Sequence, residues 1–159
     1  MLHTRGVVAI AVLLSCAAAL RGQSADSYDV FDHYDKAMNV LIGWGGANSA
    51  AGIPMMFSGD ERIRRIGSQC LLWGGINTGI GIVAKVANRR STSTPEQKKN
   101  SFRRAMVING LLDVAYITTG VVLSRLGKTE RIRASGVGVI IQGSFLLGFD
   151  WANYGLIRD

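Results

Sequence analysis

Four long apolar stretches, residues 37–57, 66–86, 105–126 and 134–154, constrain this chain more than any other feature in it. Each holds about 21 residues, and at about 1.5 Å per residue a helix of that length reaches about 30 Å, the hydrocarbon thickness of a bilayer. The apolar character runs all round each stretch. Buried strands would be shorter, and the helices of a soluble bundle would carry a polar stripe. The expected fold is all-α: a bundle of four transmembrane helices, residues 37–154. Composition agrees, because 48% of residues are hydrophobic and 18% are charged, against about 25% charged in an ordinary soluble domain. A soluble enzyme has too little polar surface here to be built.

The formal charge is +7, and its distribution says what it does. Lys and Arg lie between the apolar runs: Arg62, Arg64 and Arg65, then Arg89 to Arg104, then Arg125 to Arg133. Such clusters anchor helix ends at lipid headgroups. No aromatic-interleaved basic domain accompanies them, so the bilayer is an expected partner and nucleic acid is not. Residues 1–25 read as a secretory signal peptide, with Arg5 in a short leading region, apolar residues 6–20, and small then polar residues after them. Cleavage in that stretch leaves Cys70 and His33 as the sole cysteine and histidine. No disulfide, structural zinc, iron–sulfur cluster or histidine-held haem is then expected, and no metal or cofactor. Residues 26–36 form an acidic juxtamembrane segment with Asp26, Asp29, Asp32 and Asp35 at every third position. It lacks the glycine turn and terminal glutamate of a calcium loop and reads as an interfacial lead-in to the first span.

The connections 58–65 and 127–133 are tight and charged, which makes two helical hairpins. The middle connection, 87–104, reads as longer and polar, with Pro95 placed to start the next helix. The hairpins resemble each other: Ala37-Met38 matches Ala105-Met106, Gly52 matches Gly120, Glu61-Arg62-Ile63-Arg64 matches Glu130-Arg131-Ile132-Arg133, and Gly67 matches Gly136. Two helices per unit would give a parallel repeat. Close helix contact in lipid needs small residues. Gly75 with Gly79, Gly45 with Ser49, Gly46 with Ala50, and the repeat partners Gly52 and Gly120 are the candidates, for packing within the chain or against another protomer.

Basic residues are balanced between the two sides of the membrane, so the signal peptide sets the orientation. The mature N-terminus, the middle connection and the C-terminus are expected outside the cytoplasm, in a bacterial inner membrane. Counted inward from that side, Asp150 lies about 6 Å deep, Asp113 and Asn77 about 12–13 Å, and Asn48 and Tyr116 about 16 Å, with Gln142 slightly deeper. Asn109, Asp113, Tyr116 and Gly120 share one face of the third helix. Trp44, Asn48 and Gly52 share one on the first, and Gln69, Trp73 and Asn77 one on the second. These faces are expected to converge, because an aspartate at mid-membrane costs about 2.5–3.5 kcal/mol even on insertion scales. Asp150, beside Trp151 and Tyr154, is expected to be hydrated within an aromatic belt.

Gly43-Trp44, Asn48 and Gly52, Trp73 and Asn77, Asn109, Leu112-Asp113, Tyr116-Ile117 and Gly120, and then Gln142-Gly143, Phe145-Leu146-Leu147 and Phe149-Asp150 together resemble a bacterial family of small four-helix membrane proteins, a domain of unknown function. The resemblance covers about residues 36 to 154 and implies a fold and a membrane location without an activity. One departure stands out, Leu72 where that pattern has an asparagine before Trp73.

Two functions follow from the residues. One is an integral membrane protein without catalytic activity, a structural or accessory subunit or a self-associating bundle, in which Asp113 fixes helix register. The other is a small ion- or proton-coupled carrier that binds its ligand at Asp113, with Asn109, Tyr116, Asn48, Asn77, Gln142 and Asp150 around it. Small multidrug exporters also have four spans, but their essential glutamate is on the first, and here that span has no acidic residue. The spans offer neither a nucleophile–base pair nor a metal cage, so catalysis is not expected.

Overall fold

A computed structural model describes residues 28–158, so the signal peptide reading lies outside the described residues. Four helices follow one another: α1 (Val30–Met56), α2 (Glu61–Arg89), α3 (Pro95–Leu126) and α4 (Glu130–Leu156). Each begins on a side chain that caps free backbone N–H groups. Asp29 accepts from Phe31 N, Asp60 from Arg62 N and Ile63 N, and Thr129 from Ile132 N. Thr94 and Gln97 form a reciprocal capping box ahead of Pro95, which needs no N–H in the first turn.

The helices outrun the apolar stretches. Residues 95–104 are polar yet helical, so the middle connection narrows from the expected 87–104 to residues 90–94. Likewise α1 begins seven residues before 37 and takes up the acidic lead-in. Hydropathy marks where lipid would be, and a well-capped helix continues past that point.

α2, α3 and α4 are long and apolar enough to cross a membrane by length and composition. α1 falls short, because Asn39, Asn48, Ser49, Pro54 and four glycines dilute its apolar residues. The bundle is polar inside and apolar outside. Asn48, Asn77, Asp113, Gln142, Asp150 and Asn153 are buried, while Leu72, Ile80, Val83, Leu111 and Val122 face outward. In water that band would be an aggregation surface; in lipid it is the covered face.

α1 packs on α2 and α3 on α4, giving the two expected hairpins. Both close on the same glycine pair. A β-carbon on Gly52 would lie 2.7 Å from the Gly67 carbonyl oxygen, and one on Gly120 would lie 2.9 Å from that of Gly136. The repeat reaches the short loops as well: Arg64 donates to the carbonyls of Ser58 and Gly59, and its counterpart Arg133 donates to that of Gly127. The same register aligns Gly74 with Gly143, Gly45 with Asp113, and Gly81 with Asp150. The second hairpin thus carries carboxyl groups where the first carries only hydrogen.

Gly45 also lies at backbone contact, against Gly74. The Gly75/Gly79 pair needs correcting as an internal packing motif, since a β-carbon on either would meet nothing within 4 Å. The buried stripe of α2 runs through Gly67, Cys70, Gly74, Asn77 and Gly81, and one residue further on the helix has turned by about 100°. Gly75 and Gly79 therefore face away from the bundle.

Candidate functional site

A cavity of about 290 Å³ opens among the four helices. Its inner surface comes from α1 and α4, through the buried Met38, Leu41, Phe149 and Asp150. Its rim comes from α2 and α3, where Ile80 is 53% and Leu112 is 52% exposed, with Ile76 and Tyr116 beside them. The mouth therefore lies between α2 and α3, on the flank that lipid would cover. Trp73 of α2 meets Tyr116 of α3 edge-on, ring centroids 5.7 Å apart, and limits the cavity toward the short loops.

At the inner surface the carboxyl groups of Asp113 on α3 and Asp150 on α4 lie within hydrogen-bonding reach of each other. They are 4% and 3% exposed. Asp113 Oδ2 makes no hydrogen bond within the protein, and neither does Nδ2 of Asn77, which is 2% exposed and lines the same cavity. Among the described residues no Lys, Arg or His lines it; its other titratable groups are the phenols of Tyr34 and Tyr116. Two ionised carboxylates in contact in an apolar medium repel each other strongly, so a proton or a cation has to lie with the pair.

The expected single polar layer is in fact two clusters. Asp113, Asp150, Asn77, Asn109 and Tyr116 share the cavity, with Asn109 exposed on its lining and Tyr116 at its mouth. Asn48 and Gln142 belong to another cluster, between α1 and α4. There Trp44 Nε1 donates to Gln142 Oε1 (3.0 Å), Gln142 Nε2 to Asn48 Oδ1 (2.6 Å), and Asn48 Nδ2 to the Trp44 carbonyl (2.8 Å). Trp44 stacks on Phe145 at 3.9 Å. Every polar group of this set has a partner, so it is a closed structural clasp. Asp150 corrects a second expectation: instead of sitting hydrated in an aromatic belt, it is buried against Asp113. Depth along an axis carries no direction around it, and Asp150 points inward while Trp151 points out.

Residue numbering alone does not reveal a third cluster near the middle loop. Asn153 Nδ2 donates to the Phe149 carbonyl, which turns its Oδ1 toward His33. His33 Nε2 donates to that oxygen (3.1 Å), and Nδ1 accepts from the Tyr28 hydroxyl (3.0 Å). Both ring nitrogens of the neutral imidazole are satisfied. Burial pushes His33 below its usual range, partly countered by the bond to Asn153. Nearby, Lys98 Nζ sits 3.4 Å over the Tyr34 ring, and Asn88 Nδ2 donates to Asp35 and to the Phe31 carbonyl. Among the described residues no group of three or more His, Cys, Asp and Glu side chains could hold a metal ion.

Residues 40–151 match the family of unknown function DUF6992. The chain belongs to that family. The match spans the polar part of every helix, from Asn48 through Asp113 to Asp150, and leaves out His33 and Asn153. No curated protein and no solved structure is significantly similar to the chain.

Proposed function

We propose that this DUF6992 member is a non-catalytic, four-span membrane protein that binds a monovalent cation or a proton at the Asp113–Asp150 pair, as a small ion-coupled carrier would. The observation that carries the reading is the pair itself: two buried carboxyl groups on different helices, at a cavity with no basic residue among the described residues of its lining. A purely structural aspartate would be expected to spend both oxygens on donors, and Asp113 Oδ2 is buried without a hydrogen-bond partner among the described residues. α1 packs along α2 and buries His33 and Asn48, which supports counting it as a fourth span despite its low hydropathy. The signal-like N-terminus supports the middle loop and C-terminus lying outside a bacterial cytoplasmic membrane.

The test is a thermal-unfolding series on the full chain in mild detergent, at about pH 8 to keep His33 neutral. The melting point should rise with the concentration of one of lithium, sodium or potassium, by mass action, or else with protons in a His33→Gln background. Asp113→Asn should remove that rise and leave the basal melting point nearly unchanged. A parent protein indifferent to every ion and to pH in that background would refute binding.

A second reading, a self-associating bundle or a subunit of a larger membrane complex, draws support from the outward-facing Gly75 and Gly79, whose size admits close approach by another helix.

A further inference from the structure

The cavity holds more polarity than an inorganic cation needs, and it opens in an unusual direction. Its rim, with Ile76 and Ile80 on one side and Leu112 on the other, is exposed on the flank of the bundle that lipid would cover. A molecule that enters there arrives from the bilayer and has to be lipid-soluble. Most of the lining is apolar or aromatic. The polar exceptions among the described lining residues include the Asp113–Asp150 carboxyl pair, with no basic side chain beside it, and the amide of Asn77. Asp113 and Asn77 are more than nine-tenths buried, and among the described residues Asp113 Oδ2 and Asn77 Nδ2 have no hydrogen-bond partner. An inorganic cation would answer the first and leave the second unmet. A fatty acid or an anionic lipid would bring negative charge to a carboxyl pair.

We infer that the cavity is a binding site for a lipophilic amine whose ammonium group carries N–H bonds and has an oxygen acceptor beside it, as in a long-chain amino alcohol, and that this amphiphile enters sideways between α2 and α3. The ammonium N–H donates to a carboxylate oxygen of the Asp113–Asp150 pair and supplies the positive charge that the pair lacks. The neighbouring hydroxyl oxygen accepts from Asn77 Nδ2. Trp73 and Tyr116 line the same cavity and offer their ring faces to the cation, and the alkyl chain leaves through the mouth into the bilayer. A cavity of about 290 Å³ takes a polar headgroup and the first few methylenes, which is at the small end of ligand sites. This inference rests on the Asp113–Asp150 reading and names the class of ligand for it.

The experiment is saturation binding of a tritiated long-chain amino alcohol to the full chain in nanodiscs of zwitterionic lipid, with empty nanodiscs as background. The parent should bind saturably. Asp113→Asn should weaken binding by about tenfold or more, the worth of one charge-assisted hydrogen bond, and Asn77→Ala by about threefold to tenfold. A quaternary ammonium analogue of the same chain length has no N–H and should compete at least about tenfold less well. Leu112→Trp narrows the mouth without touching either polar group and should also reduce binding, which keeps the test decisive if the Asp113 variant misfolds. Binding no greater than to empty nanodiscs, or binding indifferent to Asp113→Asn and Leu112→Trp alike, would overturn the inference. If the amine fails while sodium, potassium, lithium or protons still stabilise the parent and not Asp113→Asn, the ligand class is wrong and the ion site stands.

Discussion

Replacing Gly52 by alanine puts one methyl group into the tightest contact of the first hairpin. Its β-carbon would lie 2.7 Å from the Gly67 carbonyl oxygen and 2.9 Å from Leu71 N, where ordinary contact begins at 3.4 Å. α2 must therefore retreat by about 0.7 Å, the difference between the 3.4 Å and 2.7 Å separations. The obstacles are backbone atoms, which cannot turn aside as a flexible side chain can. A gap of about 0.5–1 Å forfeits a quarter to a half of each dispersion contact it opens, and overpacking of this kind costs about 1–3 kcal/mol. Alanine recovers up to about 1 kcal/mol of helix propensity, so the net loss should be about 0–2 kcal/mol. Gly75→Ala has the same chemistry and no obstacle within 4 Å, so it should be neutral or stabilise by up to about 1 kcal/mol. Unfolding in mixed micelles titrated with dodecyl sulfate, followed by far-ultraviolet circular dichroism, resolves a gap of that size. Gly120→Ala, the repeat counterpart, should behave as Gly52→Ala does. If Gly52→Ala and Gly75→Ala shift stability equally, the assignment of the α2 contact face is wrong.

Three other outcomes are expected. His33 is held below the ordinary imidazole range of about 6.5 by burial, so the unfolded chain takes up the proton more readily than the folded one. Stability is then intact above about pH 6.5 and falls as the pH drops through it, and His33→Gln should abolish that step in the melting point. Gln142→Leu strands Asn48 Oδ1 and Trp44 Nε1 and should cost about 1–3 kcal/mol, whereas Asn109→Leu, on an exposed stretch of α3, should cost under about 0.5 kcal/mol. In a Cys70→Ala background, Thr92→Cys should react with an impermeant thiol reagent on intact spheroplasts and Lys128→Cys should not; the reverse would invert the orientation.

The helices and hairpins were legible because the relevant signals are local. Apolar length marks spans, Pro95 marks where the third helix can start, and the Glu-Arg-Ile-Arg copies mark equivalent loops. What was misread depends on direction around a helix axis. A Gly-x-x-x-Gly spacing at Gly75 and Gly79 looks like packing from any side, and only the contact stripe through Gly74 shows that it faces away. Asn48 and Gln142 share a depth with Asp113 but are hydrogen-bonded to each other across α1 and α4. The Asp113–Asp150 contact joins residues counted at different depths, because helix inclination and side-chain reach close the gap. On hydropathy alone the polar residues 95–104 belong to the middle connection, whereas Thr94 and Gln97 cap them into helix.

The central claim is that the carboxyl pair binds a cation or a proton. A cation that binds there takes the place of the proton the pair otherwise holds, and the most direct measurement of that exchange is infrared difference spectroscopy of the two aspartates. Full-length protein in a lipid film is perfused first with buffer and then with the stabilising cation at constant pH. The account predicts loss of a carboxylic C=O stretching band and gain of carboxylate bands. It also predicts that the change saturates with the same midpoint as the thermal stabilisation and is absent from the Asp113→Asn, Asp150→Asn double variant. A difference spectrum without carboxyl bands, or one unaltered in the double variant, would contradict it.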